Sequence, residues 1–109
     1  MSSPSPTIQM APIPVGPDAV AAMSPSNYVT AETLREGDPA ERGAIHLSSG
    51  DDKFAVGSWR AEPYAEFIES YPCDEYTRVL EGSITLTRGW RGEYRVTEPL
   101  VKQFAIYVS

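Results

Sequence analysis

Apolar and polar residues alternate with period two along the chain after residue 52, and turn-forming Gly, Pro and Asp residues interrupt the alternation. Such a period places successive side chains on opposite faces of a strand. A further short strand, residues 43–48, is predicted just before the alternation begins. No part of the sequence has apolar residues at the spacing of an amphipathic helix. The pattern predicts six or seven short strands from the runs 43–48, 54–59, 64–71, 76–80, 83–87, 92–97 and 101–108. We therefore expect an all-β fold, either a sandwich or a small barrel.

The alternation also indicates which side chains face the core of this fold. Residues two apart in a strand share a face, so an apolar set with that spacing marks the buried side. The predicted inward sets are Ile84 with Leu86, Tyr94 with Val96, and Phe104 with Ile106 and Val108. A chain of 109 residues allows one domain with one modest core of this kind.

The first 26 residues differ in composition from the rest of the chain. Six of the ten prolines lie there, interleaved with serines, and proline removes backbone donors that helices and sheets need. The segment has no Lys or Arg, and its longest apolar run, 19–23, is too short for a secretory signal. We predict that residues 1–26 form a disordered tail unable to hold a helix or a strand, that residues 27–109 form the domain, and that the protein is cytoplasmic.

The segment between this tail and the first predicted strand has mixed signals. Thr30-Ala31-Glu32-Thr33 resembles a helix capping box, with Thr30 as the N-cap. The turn-forming sequence Gly37-Asp38-Pro39 follows closely. The segment is therefore predicted to form at most one helical turn.

Charge and cysteine content exclude several classes of function. The chain has nine Lys and Arg against fifteen Asp and Glu, a net charge of −6, and a phosphate-backbone binder needs clustered cations instead. The composition is too polar for a membrane span. The single cysteine excludes an internal disulfide and a multi-cysteine zinc site. Residues 35–87 are mainly acidic and residues 88–109 mainly basic, so we expect charge pairs between neighbouring strands of the two segments.

One motif points to a family. Glu75, followed after six intervening residues by Gly82, resembles the second half of the first cupin motif. The other matching segments are Gly57-Ser58-Trp59, Asp74-Glu75-Tyr76, Val79-Leu80-Glu81-Gly82, and the run 89–99 followed by Lys102. Together they are similar to the cupin family named for (S)-ureidoglycine aminohydrolase, an enzyme that releases ammonia from its substrate. The resemblance covers about residues 53–108 and implies a cupin-like antiparallel β-barrel of the jelly-roll type.

The resemblance also implies candidate site residues. Glu75 would face the barrel interior as a catalytic acid or metal ligand, and burial there would raise its pKa. The alternatives are an exposed acid at a strand end or a carboxylate paired with a nearby cation. Tyr71, Trp59 and Trp90 are the candidate ligand-binding residues, although large aromatic side chains also fill the middle of small barrels.

The metal-binding histidines of cupins are missing from this chain. Their positions hold Ile68 and Ser70, or Glu69 and Tyr71, and the histidine position of the second motif falls on Gly92. A set of oxygen ligands from Glu69, Tyr71 and Glu75 would bind a cation weakly. We therefore predict no tightly bound metal and no cofactor.

The sole histidine and the sole cysteine are predicted to have structural roles. His46 is expected to be a strand residue with a satisfied hydrogen bond, because one histidine cannot make a histidine-rich site. Cys73 is expected to be an unreactive, buried or half-buried thiol, because adjacent carboxylates disfavour its thiolate.

The second departure from the family is a gap. In the cupin relatives a hairpin separates the strand matching 83–87 from the Gly-Trp pair, whereas here Arg88 alone links Thr87 to Gly89. About 15–20 residues are missing, so the barrel is expected to be incomplete unless the sheet closes around fewer strands. We expect the runs 83–87 and 92–97 to form a hairpin of their own, and the uncovered edges to pair in a homodimer. The charges expected to block such edges are those of Arg78, Arg95 and Lys102.

The predicted function is binding of a small polar metabolite by a cupin-like domain. One alternative is a metal-dependent enzyme acting on a ureido or related C–N substrate, and another is a degenerate cupin acting as an assembly module. No nucleic acid and no membrane is expected as a partner.

Overall fold

The computed structural model of the chain describes residues 16–79 and 82–109. Most of this part of the chain is antiparallel β-structure. The elements are helix α1 (Gly16–Ala21) and strands β1 (Ser24–Pro25), β2 (Leu34–Gly37), β3 (Arg42–Ser48), β4 (Phe54–Ala61), β5 (Tyr64–Ile68), β6 (Asp74–Val79), β7 (Gly82–Leu86), β8 (Gly92–Val96) and β9 (Leu100–Tyr107). Within the described ranges, no helix has the length and apolar character needed to cross a membrane.

The strands form two sheets of unequal width. The larger sheet has six strands in the order β1-β3-β4-β9-β6-β7, and the smaller has three in the order β2-β5-β8. Every pair in both sheets is antiparallel; the pairs are β1–β3, β2–β5, β3–β4, β4–β9, β5–β8, β6–β7 and β6–β9. The long strands β4 and β9 pair over eight residues each and form the centre of the larger sheet.

The core contains side chains from both sheets. Its buried members are Trp59, Ala61 and Phe104 from the larger sheet and Tyr64 and Val96 from the smaller one, with Val29, Leu34, Tyr94, Leu100 and Ile106 packed against them. Gly57 lies opposite Phe104 in the β4–β9 register. A Cβ at residue 57 would lie 2.6 Å from the Phe104 ring and 2.5 Å from the Ala44 carbonyl oxygen. Glycine is therefore required for β3, β4 and the Phe104 ring to approach this closely.

The strands predicted from alternation are confirmed, with small changes at their ends. The predicted run 64–71 stops at Ile68, and the run 76–80 begins earlier, at Asp74. Val96 and Phe104 are buried, and Tyr94 and Ile106 pack against the core as expected. Val108 is 38% exposed and lies after the end of β9, so its predicted inward position is wrong.

The expectation that residues 1–26 cannot hold a helix or strand is wrong from Gly16 onward. Helix α1 has Pro17 in its first turn, where a missing N–H leaves no hydrogen bond unmade, and Asp18 adds favourable charge there. Ala19 and Met23 are buried, and the Arg42 guanidinium donates to the Met23 carbonyl oxygen at 2.9 Å. The remainder of the predicted tail, residues 1–15, lies outside the described residues.

The capping signal at Thr30 forms a turn that leads into a strand. The amides of Thr33 and Leu34 donate to the Thr30 carbonyl oxygen, and the Thr30 amide donates to Thr33 Oγ1 at 3.3 Å. Strand β2 begins at Leu34, where the predicted helical turn would continue. Pairing with β5 explains the change, because tertiary hydrogen bonds outweigh a weak local helix signal.

The predicted hairpin of β7 and β8 is wrong. Strand β7 pairs with β6 in the larger sheet, whereas β8 pairs with β5 in the smaller sheet. The short link between them crosses from one sheet to the other. Tyr71 holds it there, because its amide donates to the Trp90 carbonyl oxygen and its carbonyl oxygen accepts from the Gly89 amide, both at 2.8 Å. Strands β7 and β8 are consequently each at the edge of a sheet.

Candidate functional site

A buried ion pair lies on the inner face of the larger sheet. Lys102 Nζ is 2.9 Å from Glu75 Oε2, and both residues are almost fully buried, with 7% and 6% of their surfaces exposed. Three further side chains complete the group: Tyr71 donates to Glu75 Oε1 at 2.8 Å, Thr77 donates to Glu75 Oε2, and Lys102 donates to the Tyr94 hydroxyl at 3.3 Å. We call these five residues the Glu75–Lys102 network.

The strand register explains how the pair meets. Glu75 and Thr77 of β6 lie opposite Ile106 and Phe104 of β9, so they face the interior with those apolar side chains. Lys102 lies four residues before Ile106 on β9. Residues an even number apart in a strand point to the same side, so Lys102 shares this inner face. Its long side chain reaches back past Phe104, whose ring centroid is 6.0 Å from Nζ, to the Glu75 carboxylate.

Aromatic rings surround the ammonium group. Lys102 Nζ lies 4.9 Å from the Trp59 ring and 5.5 Å from the Tyr94 ring. Aromatic faces carry negative charge density that attracts a cation, most strongly where water is excluded. The rings and the carboxylate together explain how a lysine can stay charged in the interior.

The network holds both members of the pair in their charged forms. Burial alone would raise the pKa of Glu75, but the Lys102 charge and the hydrogen bonds from Thr77, Lys102 and Tyr71 outweigh it and lower that pKa. Burial would likewise lower the pKa of Lys102, but Tyr94 and Glu75 outweigh it and raise that pKa. The expectation that the pKa of Glu75 is raised is therefore wrong. Glu75 remains ionised at neutral pH, and such a group is unsuited to donate a proton there.

Tyr71 and Trp90 join this network to the link between β7 and β8. Their rings pack edge to face with centroids 6.3 Å apart, and their backbones are hydrogen bonded. Burial, and after it the charge of Glu75, raises the pKa of Tyr71, so its hydroxyl stays protonated and remains a donor.

A groove of about 510 Å³ opens beside the network, between the β7 edge and the β8 edge. Its lining includes Val79 and Leu86 from the larger sheet, Trp90 from the link, and Tyr94 and Val96 from β8. Tyr94 and Trp90 are the members that also contact the network, through Lys102 and Tyr71 respectively. The groove therefore adjoins the network through Tyr94 and Trp90, while Glu75 and Lys102 themselves are not in its lining.

A second buried carboxylate holds the segment before β2 against the core. Glu41 accepts hydrogen bonds from Ser26 Oγ, the Tyr28 and Val29 amides and Trp59 Nε1, at 2.7–3.0 Å. Burial would raise the pKa of Glu41, but these four donors outweigh it and lower that pKa. A larger groove, about 730 Å³, lies along this segment and includes Glu41 in its lining.

Glu66 of β5 is a third interior carboxylate. It accepts hydrogen bonds from Thr33 Oγ1 at 3.0 Å and the Tyr64 hydroxyl at 3.2 Å. Burial raises the pKa of Glu66, and the nearby charge of Glu41 adds to this effect, while the two hydrogen bonds oppose it. The environment of Glu66 therefore favours a neutral carboxyl group, whereas the environment of Glu75 favours a charged carboxylate.

The structure brings three of the four predicted site residues into direct contact. Glu75, Tyr71 and Trp90 form a chain of contacts from the interior to the groove. Trp59 lies behind Lys102, is buried, and donates to Glu41, so it supports the network from the core and does not line the smaller groove.

The other singled-out residues lie apart from this site. Glu69 is exposed and pairs with Arg91 at 3.0 Å, so it does not join Tyr71 and Glu75. His46 Nε2 is 2.8 Å from Ser58 Oγ, which confirms its predicted hydrogen bond. Cys73 is buried, which confirms its predicted position, and burial followed by the charges of Glu75 and Asp74 raises its pKa.

The sequence reasoning missed Lys102 as a site residue and treated it as a charge that blocks a sheet edge. That expectation is wrong, because β9 lies inside the larger sheet and Lys102 is buried. The alternation that predicts an inward position for Phe104 and Ile106 also predicts one for Lys102, because the three residues are spaced two apart along the strand. The expected charge pairs between neighbouring strands of the two segments are confirmed by Lys102–Glu75, on β9 and β6, and by Arg91–Glu69, beside β8 and β5. Arg95–Glu36 also joins the two segments, but across β5.

Within residues 16–79 and 82–109, no three His, Cys, Asp or Glu side chains are grouped so that they could hold a metal ion. The chain was also compared with known proteins. No protein-family model matches it, and no curated protein matches it.

Proposed function

We propose that the chain is a cupin-like, incomplete β-barrel that binds a small polar metabolite in the groove between β7 and β8. The observation that carries the proposal is the position of the Glu75–Lys102 network beside that groove: Tyr94 belongs to the network and lines the groove, and Trp90 lines the groove and packs on Tyr71 of the network. A mostly apolar pocket with a few convergent polar groups is the usual form of a small-molecule site. The motif around Glu75 and Gly82 supports the cupin-like assignment.

The chemistry of the ligand is inferred from the polar groups of the network. The bond from Lys102 to the Tyr94 hydroxyl, at 3.3 Å, is longer than the 2.9 Å bond from Lys102 to Glu75, and Tyr94 lines the groove. A carbonyl or carboxylate oxygen of a ligand can replace that hydroxyl at Lys102. Amide or ureido N–H groups of the same ligand can donate to Glu75, which is held ionised. The preferred ligand class is therefore a small ureido or amide acid.

Binding is favoured over catalysis by the charge state of Glu75. A general acid at neutral pH needs a raised pKa, and the pKa of Glu75 is lowered. A metal-dependent reaction on a C–N bond would need ligands besides Glu75, and Glu69 lies on the surface bound to Arg91. The geometry thus gives a ligand site more support than an active site.

Calorimetric titration with N-carbamoylglycine tests the proposed function. We expect saturable binding of this ureido acid and weaker binding of urea and of acetate, because each carries one half of its chemistry. Tyr94→Phe should raise the affinity by about threefold to tenfold, because the ligand no longer competes with that hydroxyl for Lys102. Tyr107→Phe is the matched control, since Tyr107 is 49% exposed and outside the groove.

Failure of all three probes to bind at millimolar concentration would contradict the proposed ligand class. Equal effects of the two tyrosine variants would contradict the proposed position of the site. Circular dichroism of each variant establishes that the fold is unchanged.

A further inference from the structure

The edges of the two sheets differ in how well they are protected against pairing. Strand β1 has two residues, one of them Pro25, and β2 has an irregular register between Leu34 and Glu36. Strand β8 has five residues in unbroken register with β5 and contains no proline. A regular edge of this kind presents unpaired N–H and C=O groups that can pair with another chain.

The charges on β8 are complementary to a second copy of the same strand. Its sequence, Gly92-Glu93-Tyr94-Arg95-Val96, places an acid on one side of a central tyrosine and a base on the other. Within one chain the exposed Arg95 guanidinium contacts Glu36 at 2.8 Å and Glu93 at 2.7 Å, so a partner's carboxylate would share this cation. In an antiparallel pair centred on Tyr94, Glu93 lies opposite Arg95 of the partner subunit, and Arg95 lies opposite the partner's Glu93. Opposite charges directly across strands stabilise a pair, whereas like charges destabilise it. Strand β7, another edge strand of the described sheets, has no charged residue that could select a register.

We propose that β8 pairs antiparallel with β8 of a second copy about a two-fold axis at Tyr94. The smaller sheets of the two copies then join into one six-stranded sheet. This surface adjoins the groove of the ligand proposed above and shares Tyr94 and Trp90 with it, but the pairing itself does not require the ligand.

The inner faces of the two strands also fit in this register. Gly92 and Val96 share the inner face with Tyr94, and Gly92 of one copy lies opposite the partner's Val96, a small residue against a larger one. The Trp90 ring lies over Gly92, 2.9 Å from the position a Cβ would take there. Trp90 is half-buried, but Val96 is 7% exposed and packed in its own core, so the contact between them adds little. Backbone hydrogen bonds supply most of the association, because exposed ion pairs contribute little.

Cysteine cross-linking tests the register directly. In a Cys73→Ser background, chains with Glu93→Cys are mixed with mass-tagged chains carrying Arg95→Cys and are oxidised at micromolar concentration. In an antiparallel pair, directly opposite Cβ atoms are about 4.5–5.5 Å apart and diagonal ones about 7–8 Å. A disulfide needs two Cβ atoms about 3.5–4.5 Å apart, so directly opposite cysteines are close to this distance and diagonal cysteines are too far apart. We expect disulfides between the two kinds of chain in large excess over those within either kind. Arg88→Cys is the matched control, exposed and outside β8.

Charge substitution gives an independent measurement by sedimentation. The native chain is expected to form dimers, and Glu93→Arg should weaken the association at least about tenfold, because arginine then faces arginine twice. The double variant Glu93→Arg with Arg95→Glu should restore it. A native chain that stays monomeric at micromolar concentration would overturn the proposal. A dimer whose cross-links show no preference for the mixed pair would equally overturn it.

Discussion

Replacing Lys102 by Met should lower the free energy of unfolding by about 3–5 kcal/mol, the largest effect that we expect from a single polar substitution in this chain. Methionine fills a similar volume but leaves the Glu75 carboxylate buried without its cation. Removing one partner of a buried pair is costly because the other charge stays uncompensated, whereas the intact pair contributes little net stability. Tyr71 and Thr77 would still donate to Glu75 but carry no charge.

The double variant Lys102→Met with Glu75→Gln should recover at least half of that loss, because the uncompensated charge is gone. Lys53→Met is the matched control, since Lys53 is the other lysine of the chain and is exposed; it should change stability by less than about 0.5 kcal/mol. Urea unfolding of the native chain, the single variants Lys102→Met and Glu75→Gln, and the double variant gives the coupling energy. A double variant no more stable than Lys102→Met would contradict the buried ion pair.

Replacing Glu41 by Gln should lower the free energy of unfolding at pH 7 by about 2–3 kcal/mol. Glu41 accepts four hydrogen bonds, and a glutamine amide presents one oxygen and two N–H groups to the same donors. At least one buried donor would then lack a partner. The Tyr28 and Val29 amides should become the most exposed to hydrogen exchange, because Glu41 is their acceptor.

The same substitution should change how stability depends on pH. The pKa of Glu41 lies below its ordinary value of 4.5 in the folded chain. Its contribution is therefore fully present above that value and is lost as the pH falls through the lower folded pKa. The difference between the native chain and Glu41→Gln should narrow below about pH 4.5. Glu98→Gln, at an exposed position, is the matched control. A gap between Glu41→Gln and the native chain that stays constant down to pH 3 would contradict the role of the Glu41 charge.

Much of the strand structure could be predicted because its cause is local. The period-two alternation found β4 and β9 with nearly correct ends, and in β9 the alternate residues Lys102 and Phe104 are buried. The same rule placed Phe104 inward, and applied to Lys102 it would have found the partner of Glu75.

Which strands pair could not be predicted in the same way. The short link from Thr87 to Arg91 has the length of a hairpin loop, and nothing within it shows that Tyr71 holds it across two sheets. Glu41 likewise lies in a segment without a motif. Its role depends on four hydrogen-bond donors that lie 12 to 18 residues away from it in the sequence. The pKa of Glu75 required knowledge of Lys102, which lies 27 residues away.

The lysine side-chain resonances give the most direct test of the proposed ligand site. The chain has two lysines, so labelling with ¹³Cε-lysine yields one signal for Lys102 and one for Lys53. The Lys102 signal should be displaced by the rings of Trp59 and Tyr94 that surround its ammonium group. On titration with N-carbamoylglycine we expect the Lys102 signal to shift saturably while the Lys53 signal stays in place. A Lys102 signal that does not move at millimolar ligand, or that moves together with Lys53, would contradict the account.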